Sequence, residues 1–270
     1  MSNFRIPGGA PGALVAGHSI YETSAKPCCA VGTRLPLGDR VFYYAKFYAD
    51  NAAGLVAAPD CSIGGPVLLA DGSCCAIASP ALGSLMSKKA ITASLAVGDR
   101  GIGITHGSSL DNITAHMLVD GYILLTDSAG SDQIYKIKDN TAMASDIVEI
   151  LLYDEIRVAT ADTTTGVAIM PNPFMNLTPA TLDTDEAACG VPLVAVDVSE
   201  AAYAWVQTWG PCMAVCVTGT TAVSGDNIII STTAGQVENS ADGTSAIIGH
   251  AICDITANVD AGLVYLKMFP

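Results

Sequence analysis

Short apolar runs recur along this chain, and each ends at a cluster of glycine, proline, aspartate, asparagine or serine. The run at 41–47, VFYYAKF, combines aromatic and β-branched residues, the types that favour strands. No stretch of about twelve or more residues carries the 3.6-residue apolar period of an amphipathic helix. The pattern therefore predicts an all-β protein with little helix, in which an extended N-terminal arm precedes β-sandwich or β-barrel domains.

Gly-Asp pairs separate apolar runs at 38–39, 98–99 and 225–226. Glycine accepts a positive φ, and an aspartate carboxylate can accept a hydrogen bond from the backbone of its own turn. We therefore predict a strand–turn–strand corner at each pair. The Asp-Gly pair at 120–121 predicts a two-residue hairpin turn, and the meander that it starts continues into a strand at 133–138.

Composition divides the chain into four parts. Residues 1–30 are rich in Gly, Pro and Ala without periodicity, which predicts the extended arm. Residues 31–160 predict a β-rich domain, and the Thr-, Pro- and Asn-rich residues 161–186 predict a connector with one strand at 167–170. Residues 187–270 contain apolar runs at about ten-residue spacing, which predicts a small C-terminal β-barrel or sandwich.

Residues 201–225 contain no charged residue and hold both tryptophans of the chain. In a strand of period two, Tyr203, Trp205 and Trp209 share one face, and the Gly-Pro pair at 210–211 then breaks or bends the strand. Past that pair, Cys212, Ala214 and Cys216 are predicted to share one side, with Met213, Val215 and Val217 on the opposite side. Because this strand is apolar on both faces, both must be covered. A second layer of the same domain or another subunit could do so, and the three aromatic residues are interface candidates.

The N-terminal arm is more apolar than a solvated tail. Its large apolar residues are Phe4, Ile6, Leu14, Val15, Ile20 and Tyr21. We predict that these residues form an interface with a neighbouring chain, since such arms are ordered only when something holds them. A solvated terminus is the alternative.

Charge is both scarce and acidic in this chain. Asp and Glu outnumber Lys and Arg by 26 to 12, for a net charge of −14. Direct binding of nucleic acid is not expected, because phosphate contacts need a basic surface. Charged residues make up 14% of the chain, against about a quarter in an average domain. Such an exterior could be covered by copies of the chain or by another protein, or it could be a monomer surface of Ser, Thr and Asn.

Neither a membrane span nor a signal peptide is predicted. The uncharged runs at 163–182 and 201–225 are interrupted by proline, and the first twenty residues lack the apolar core of a signal sequence. We therefore expect a chain made in the cytoplasm with no membrane partner.

Motifs for catalysis, cofactors or metals are missing from the sequence. It contains no G-x-S-x-G elbow, P-loop, dinucleotide-binding glycine pattern, H-E-x-x-H or EF-hand loop. The four histidines are dispersed, the nine cysteines include no C-x-x-C pair, and the acids at 183–186 are better explained as a solvated loop than as a cation site. We expect no catalytic, cofactor or metal residues, and reduced cysteines.

Several consecutive motifs resemble the head decoration, or capsid cement, proteins of tailed phages. The segments GVPLVAV, AAYAWVQTWG, VTGTTAVSGDNIIIST, AIIGHAI and AGLVYLKM are similar to the C-terminal half of that family. There an aromatic Y-x-W-V-Q-x-x-G strand precedes a Gly-Asp turn, a hairpin and a final V-x-L strand. GTRLPLGDRVFYYAKF is similar to the segment after the arm, and VDGYILLTDSAG to the middle. The many cysteines depart from the family pattern and leave cross-linking between thiols open.

The resemblance implies a non-enzymatic virion structural protein without a cofactor. Copies, commonly as homotrimers, would bind the major capsid protein on the outer surface of an assembled capsid and tie capsomers together. The chain would be made in the host cytoplasm and end on the capsid exterior. The arm would clamp onto a neighbour, and Trp205 and Trp209 would pack in the trimer or in the domain core.

Three alternative functions stay open at this point. A major capsid protein would need a long spine helix, which the pattern does not predict. A tail fibre or other adhesin would bind host-surface glycans. A β-rich hydrolase would need a nucleophile motif that the sequence does not contain.

Overall fold

A computed structural model describes residues 18–47, 53, 57–59, 89–105, 115–116, 118–127, 133–142, 144–145, 147–161, 165–170, 172–175, 177–180, 188–240, 247–256 and 261–269. These residues form strands and no helix, so the predicted all-β class is confirmed. The strands are β1 (Thr23–Ser24), β2 (Arg34–Leu37), β3 (Arg40–Lys46), β4 (Ala57–Pro59), β5 (Lys89–Ala90), β6 (Gly101–Thr105), β7 (Tyr122–Asp127), β8 (Gln133–Asn140), β9 (Ile147–Leu152), β10 (Thr165–Met170), β11 (Leu177–Pro179), β12 (Val191–Pro192), β13 (Tyr203–Val215), β14 (Asn227–Ile230), β15 (Val237–Asn239), β16 (Ile247–Ala251) and β17 (Ala261–Lys267).

The chain divides into two compact units. The first unit comprises Met1–Pro59, Asn176–Thr184 and Ala188–Pro270, and the second comprises Asp60–Met175 and Asp185–Ala187. The first unit holds a nine-stranded sheet in the order β15-β14-β16-β17-β13-β3-β2, with β1 and β12 also paired to β13, and a small sheet of β4 and β11. The second unit holds a six-stranded sheet in the order β5-β10-β7-β8-β9-β6.

The long strand β13 organises the first unit. Its register with β3 slips between Gln207 and Trp209, so that Thr208 is an extra residue of the bulge type. Gly210 follows with φ 89°, and a Cβ there would meet the carbonyl oxygen of Asp39, so only glycine fits this position. The strand was predicted to break or bend at 210–211. It does not break there but runs on to Val215, because β17 pairs with it across that point.

The strands β13 to β17 form a closed C-terminal barrel. An isolated parallel bridge joins Cys216, directly after β13, to Val237 in β15, and the Val217 nitrogen donates to the Val237 oxygen at 3.0 Å. The side chains of its core are mostly small or branched. They are Ala180, Val191, Cys212, Ala214, Cys216, Ala222, Ile228, Ile230, Val237, Ile248, Ala251, Ile255, Val264 and Leu266.

The strands β5 to β10 form a second closed barrel, the middle barrel. Its two end strands are joined by an antiparallel bridge between Ile91 and Ile104, and the Thr92 nitrogen donates to the Gly103 oxygen at 2.8 Å. The core is aliphatic apart from one tyrosine. It contains Ile91, Leu95, Ile102, Ile104, Leu118, Ile123, Leu125, Tyr135, Ile137, Val148, Ile150, Leu152, Ile156 and Val167.

Both barrels contain the same corner at a predicted Gly-Asp pair. Gly98 and Gly225 each have φ 98°. The Asp99 carboxylate accepts a hydrogen bond from the Ala96 nitrogen at 2.7 Å, and the Asp226 carboxylate accepts one from the Val223 nitrogen at 2.9 Å. The carboxylate therefore caps a turn of its own residues, as the sequence predicts.

The prediction of a hairpin turn at 120–121 is wrong. Residues 118–120 form a turn, in which the Gly121 nitrogen donates to the Leu118 oxygen at 3.1 Å, and the hairpin of this region is β7–β8. Leu118 is fully buried in the middle barrel, and the nearly buried Asp120 carboxylate lies 3.2 Å from the Lys136 ammonium. These contacts hold the segment as a turn that leads into β7.

The two units do not follow the predicted domain boundaries, and two of the differences arise from strand pairing. Strands β2 and β3, which the prediction placed in the domain 31–160, belong to the first unit because β3 pairs with β13. Strand β10 lies in the predicted connector 161–186 but pairs with β7 at six positions and completes the middle barrel. Both differences come from pairing between strands that are distant in the chain, which local composition does not reveal.

Candidate protein–protein interface

The described part of the predicted arm lies on its own chain. Strand β1 pairs with the start of β13, and Ile20 is buried in the core of the first unit. Tyr21 is 59% exposed, so of the two arm candidates within the described residues it is the one at the surface. The candidates Phe4, Ile6, Leu14 and Val15 lie outside the described residues.

Trp205 is part of an aromatic core cluster of the first unit. Its side chain has no exposed surface, and its ring lies 5.1 Å from that of Tyr44 in an edge arrangement. Tyr203 is half-buried and stacks on Tyr44 with 6.0 Å between ring centroids. Of the two roles predicted for Trp205, core residue and interface residue, the structure therefore assigns the core, and Tyr203 borders the same cluster.

Polar groups around Tyr44 complete this cluster. The Tyr44 hydroxyl lies 2.9 Å from Ser24 Oγ and accepts a hydrogen bond from the Cys28 nitrogen at 3.2 Å. Burial raises the pKa of Tyr44 to about 12, and burial likewise raises the pKa of Cys29 to about 11. Because a thiolate is the reactive form of cysteine, a thiol with this pKa is a poor nucleophile near neutral pH.

Trp209 lies on the opposite face of β13 from Trp205, contrary to the predicted alternation. The extra residue Thr208 shifts the period by one, so Trp209 opposes Val41 of β3, whereas Gln207 opposes Phe42. Phe42 belongs to the aromatic cluster together with Trp205. The bulge therefore turns the second tryptophan away from the core that holds the first.

Beyond the bulge, alternate residues of β13 and β17 form an outward-facing ladder, here called the outer face. Its cross-strand pairs are Trp209–Lys267, Pro211–Tyr265, Met213–Leu263 and Val215–Ala261. Met213 is 58% and Leu263 is 42% exposed. The Trp209 ring lies edge-on to the Tyr265 ring at 6.0 Å. The outer face is therefore apolar and partly open to solvent, with a fixed aromatic pair near one end.

The inward residues of the same strands confirm the alternation predicted after 210–211. Cys212, Ala214 and Cys216 are buried in the core of the C-terminal barrel. Burial raises the pKa of Cys212 to about 12. These thiols serve as small apolar core groups.

Charge distinguishes the outer face from the β8–β9 surface of the middle barrel. The four outward pairs of β13 and β17 include Lys267 and no carboxylate. On β8 of the middle barrel, by contrast, the exposed Ile134 is followed on the same side by Lys136, Lys138 is exposed where the pairing with β9 slips, and Glu149 lies on the outward side of β9. A charged side chain is thus interleaved with the apolar ones there, which is the pattern of a solvated sheet surface.

The polar contacts that most resemble catalytic chemistry lie at a turn of the second unit. His116 Nδ1 lies 2.7 Å from the Asp139 carboxylate, both side chains are exposed, and the pKa of Asp139 is lowered chiefly by this hydrogen bond. The backbone of His116 has φ 66°, and its backbone nitrogen donates to the backbone oxygen of Asn140. The contact between His116 and Asp139 therefore fixes a turn. Within the described ranges, no group of three His, Cys, Asp or Glu side chains is placed to hold a metal.

Sequence reasoning missed Met213, Leu263 and Tyr265 as surface residues. The sequence of β17, AGLVYLK, has apolar residues on both faces of the strand, so it does not show which face points outward. Among the residues that the structure describes there is no helix with the length and apolar character to cross a bilayer. Comparison with known protein families, with curated proteins and with solved structures finds no match.

Proposed function

We propose that this chain is a non-enzymatic structural protein of a phage virion. It binds the major capsid protein on the outer surface of an assembled capsid and stabilises the shell by bridging capsomers. It acts as a homo-oligomer, expected to be a trimer, and needs neither cofactor nor direct contact with nucleic acid or membrane.

The outer face is the observation that carries this proposal. A chain of net charge −14 is kept soluble by its carboxylates, yet the outer face has none. The core of an interface is depleted in charge and enriched in aromatic residues and methionine, and Trp209, Met213 and Tyr265 fit that composition. A surface of this kind favours a protein that works in contact with other proteins.

The resemblance of the motifs to decoration proteins supports the same function. The aromatic Y-x-W-V-Q-x-x-G segment is β13, the Gly-Asp turn is the corner at 225–226, and the final V-x-L segment is β17. These motifs are neighbours in one barrel, so the part of the chain that carries the resemblance also carries the outer face.

The physical action of such a protein is thermodynamic linkage. A ligand that binds only the assembled shell stabilises it by about 2.7 kcal/mol per site when its free concentration is about a hundred times its dissociation constant. Bridging adds to this, because a copy held on one capsomer meets the next at a high effective concentration. No catalytic group is required for either effect.

Sedimentation with capsids, with and without the N-terminal arm, tests how the protein attaches to the shell. We expect the wild-type chain to sediment with capsids assembled from the major capsid protein of the encoding phage, and to leave unassembled capsid protein in the supernatant. A variant lacking residues 2–17 should keep its far-ultraviolet circular dichroism spectrum but lose binding, because the arm is proposed to clamp a neighbouring subunit.

Two results would count against parts of this proposal. Equal binding to assembled and unassembled capsid protein would reject preference for the shell, and no binding to either would reject the decoration function. Unchanged occupancy by the variant lacking residues 2–17 would reject the clamp alone.

A further inference from the structure

We propose that the middle barrel carries a binding site for neutral oligosaccharides, built around Tyr122 and Tyr153. This inference goes beyond the proposed function, which assigns no ligand to the second unit. The site would let a particle that carries many copies of the chain adhere to a carbohydrate-covered surface.

One outward row of side chains crosses the middle barrel. Met170 of β10 stands opposite Tyr122 of β7, and Tyr122 stands opposite Lys136 of β8. Tyr153 directly follows β9, and its backbone nitrogen donates to the Lys136 oxygen at 3.1 Å. Neighbouring strands lie about 4.8 Å apart, so the two tyrosines flank Lys136 with roughly 10 Å between their backbones. These four residues are here called the tyrosine row.

The large side chains of the tyrosine row are open to solvent. Tyr122 is 38% exposed, and Tyr153 and Met170 are each 45% exposed. A tyrosine ring offers a flat apolar face with a polar hydroxyl at its edge. A pyranose ring is built in the complementary way, since it carries C–H groups on its faces and hydroxyls around its edge. The two exposed rings are therefore suitable platforms for sugar rings.

An ion pair adjoins the Tyr153 ring. The Lys136 ammonium lies 3.2 Å from the Asp120 carboxylate and 5.8 Å from the centroid of the Tyr153 ring. The same carboxylate accepts a hydrogen bond from the Tyr153 hydroxyl at 3.4 Å. Asp120 is 8% exposed, and its backbone nitrogen donates to the Ile137 oxygen. These polar groups are thus fixed before a ligand arrives, which lowers the ordering cost of binding.

Charge favours a neutral ligand at this site. An anion would compete with Asp120 for Lys136, on a chain whose net charge of −14 repels it. A cation would have to displace Lys136 from both the Asp120 carboxylate and the Tyr153 ring. A neutral ligand leaves the ion pair and the cation–π contact in place.

Polarity then favours a ligand rich in hydroxyls. A wholly apolar ligand would exclude water from Lys136 and Asp120 without replacing its hydrogen bonds, which costs free energy. Sugar hydroxyls can accept from the ammonium and donate to the carboxylate, while the C–H face of the sugar packs on a tyrosine ring. The distance between Tyr122 and Tyr153 exceeds the width of one pyranose ring, so two linked sugar units are needed to contact both.

Many copies on one particle would make a weak site effective. The tyrosine row lies on open surface, so a single site should bind an oligosaccharide weakly. Copies that are held on one shell engage a glycan-covered surface together, which can raise the overall affinity by about a hundredfold or more.

An array of immobilised glycans tests the proposal, with the chain multimerised on fluorescent beads so that weak sites act together. We expect signal on neutral oligosaccharides and only background on sialylated or sulfated ones. Tyr153→Ala and Tyr122→Ala should each lower the signal by at least about tenfold, because each removes a platform. Tyr21→Ala is the matched control, since Tyr21 is 59% exposed in the first unit, and this variant should bind like the wild type.

Two further measurements separate lost binding from lost folding. Tyr153→Phe keeps the ring and should therefore lose less signal than Tyr153→Ala, and the urea midpoints of the variants show whether the fold is kept. In nuclear magnetic resonance titrations with the best neutral oligosaccharide of the array, the amide signals of Tyr122, Lys136 and Tyr153 should move.

Four results would overturn the proposal. They are background signal on every neutral oligosaccharide, stronger binding to anionic glycans, an equal loss of signal in Tyr21→Ala, and resonance shifts confined to residues outside the tyrosine row. These measurements contain no capsid, so their outcome leaves the proposed decoration function to its own test.

Discussion

The C-terminal barrel closes around alanine, cysteine and valine with a few larger side chains, whereas the middle barrel closes around isoleucine and leucine. Both barrels also expose large apolar residues: Met213 and Leu263 stand on the outer face of the C-terminal barrel, and Ile134 and Met170 are exposed on the middle barrel. On β8 and β9 of the middle barrel, charged residues such as Lys136 and Glu149 lie among the apolar ones, whereas the pairs of the outer face include Lys267 alone. The barrels thus differ in the size of their core side chains and in the charge of these two sheet surfaces.

This difference does not come from the corner that the two barrels share. Gly98 and Gly225 have the same φ, and Asp99 and Asp226 cap equivalent turns. What differs is the long strand β13, whose bulge places its two tryptophans on opposite faces of the sheet. Its first half packs Trp205 into the aromatic cluster, and its second half presents Trp209 outward.

The largest expected effect separates the two tryptophans of β13. Trp205→Ala should lower the free energy of unfolding of the first unit by about 3–5 kcal/mol, because it empties a fully buried site. Trp209→Ala should cost about 1–2 kcal/mol, chiefly through lost contact with Tyr265. Urea unfolding followed by circular dichroism, with hydrogen exchange to locate the change, provides the measurement.

Similar costs for the two variants would show that Trp209 is as deeply packed as Trp205. The outer face would then not be an open surface, and the contrast between the barrels would lose its basis.

High pH should destabilise the first unit. The pKa of Cys212 is raised to about 12 from 9.0, and that of Tyr44 to about 12 from 10.0, both chiefly by burial. Below pH 9 both groups are protonated in the folded and unfolded chain. Above it the unfolded chain releases these protons while the folded chain retains them, so stability falls until the folded pKa is reached.

The slope for Cys212 is up to about 1.4 kcal/mol per pH unit between about pH 9 and 12. Urea unfolding in reductant at several pH values, followed by the fluorescence of the two tryptophans, measures it in the first unit. Cys212→Ala should flatten the slope, and a slope that this variant leaves unchanged would contradict the assignment.

The smallest change in stability is expected at the two Gly-Asp corners and tests whether they are equivalent. Asp99→Ala and Asp226→Ala should each cost about 1 kcal/mol, the typical value of one capping hydrogen bond. Asp226→Ala should cost slightly more, since its carboxylate also accepts a hydrogen bond from Asn239 Nδ2 at 3.2 Å. Hydrogen exchange of each barrel would report the two losses separately, and a null effect at one corner would show that the corners are not equivalent.

Local patterns predicted much of the fold and little of the candidate interface. The corners at 98–99 and 225–226 were predictable because their hydrogen bonds join residues three apart. The turn at 118–121 was not, because the burial of Leu118 and the contact between Asp120 and Lys136 depend on the closed middle barrel. The arm candidates Ile20 and Tyr21 differ in exposure for the same reason, because tertiary packing buries Ile20 and leaves Tyr21 exposed.

The all-β class, the glycine-aspartate corners and the inward alternation of Cys212, Ala214 and Cys216 were predictable from the sequence, since each follows from contacts within one strand or turn. The burial of Trp205 and the outward position of Trp209 were not, because they follow from packing between distant parts of the chain. That outcome depends on the extra residue Thr208, and a bulge exists only relative to the partner strand β3, which lies more than 150 residues away in the chain.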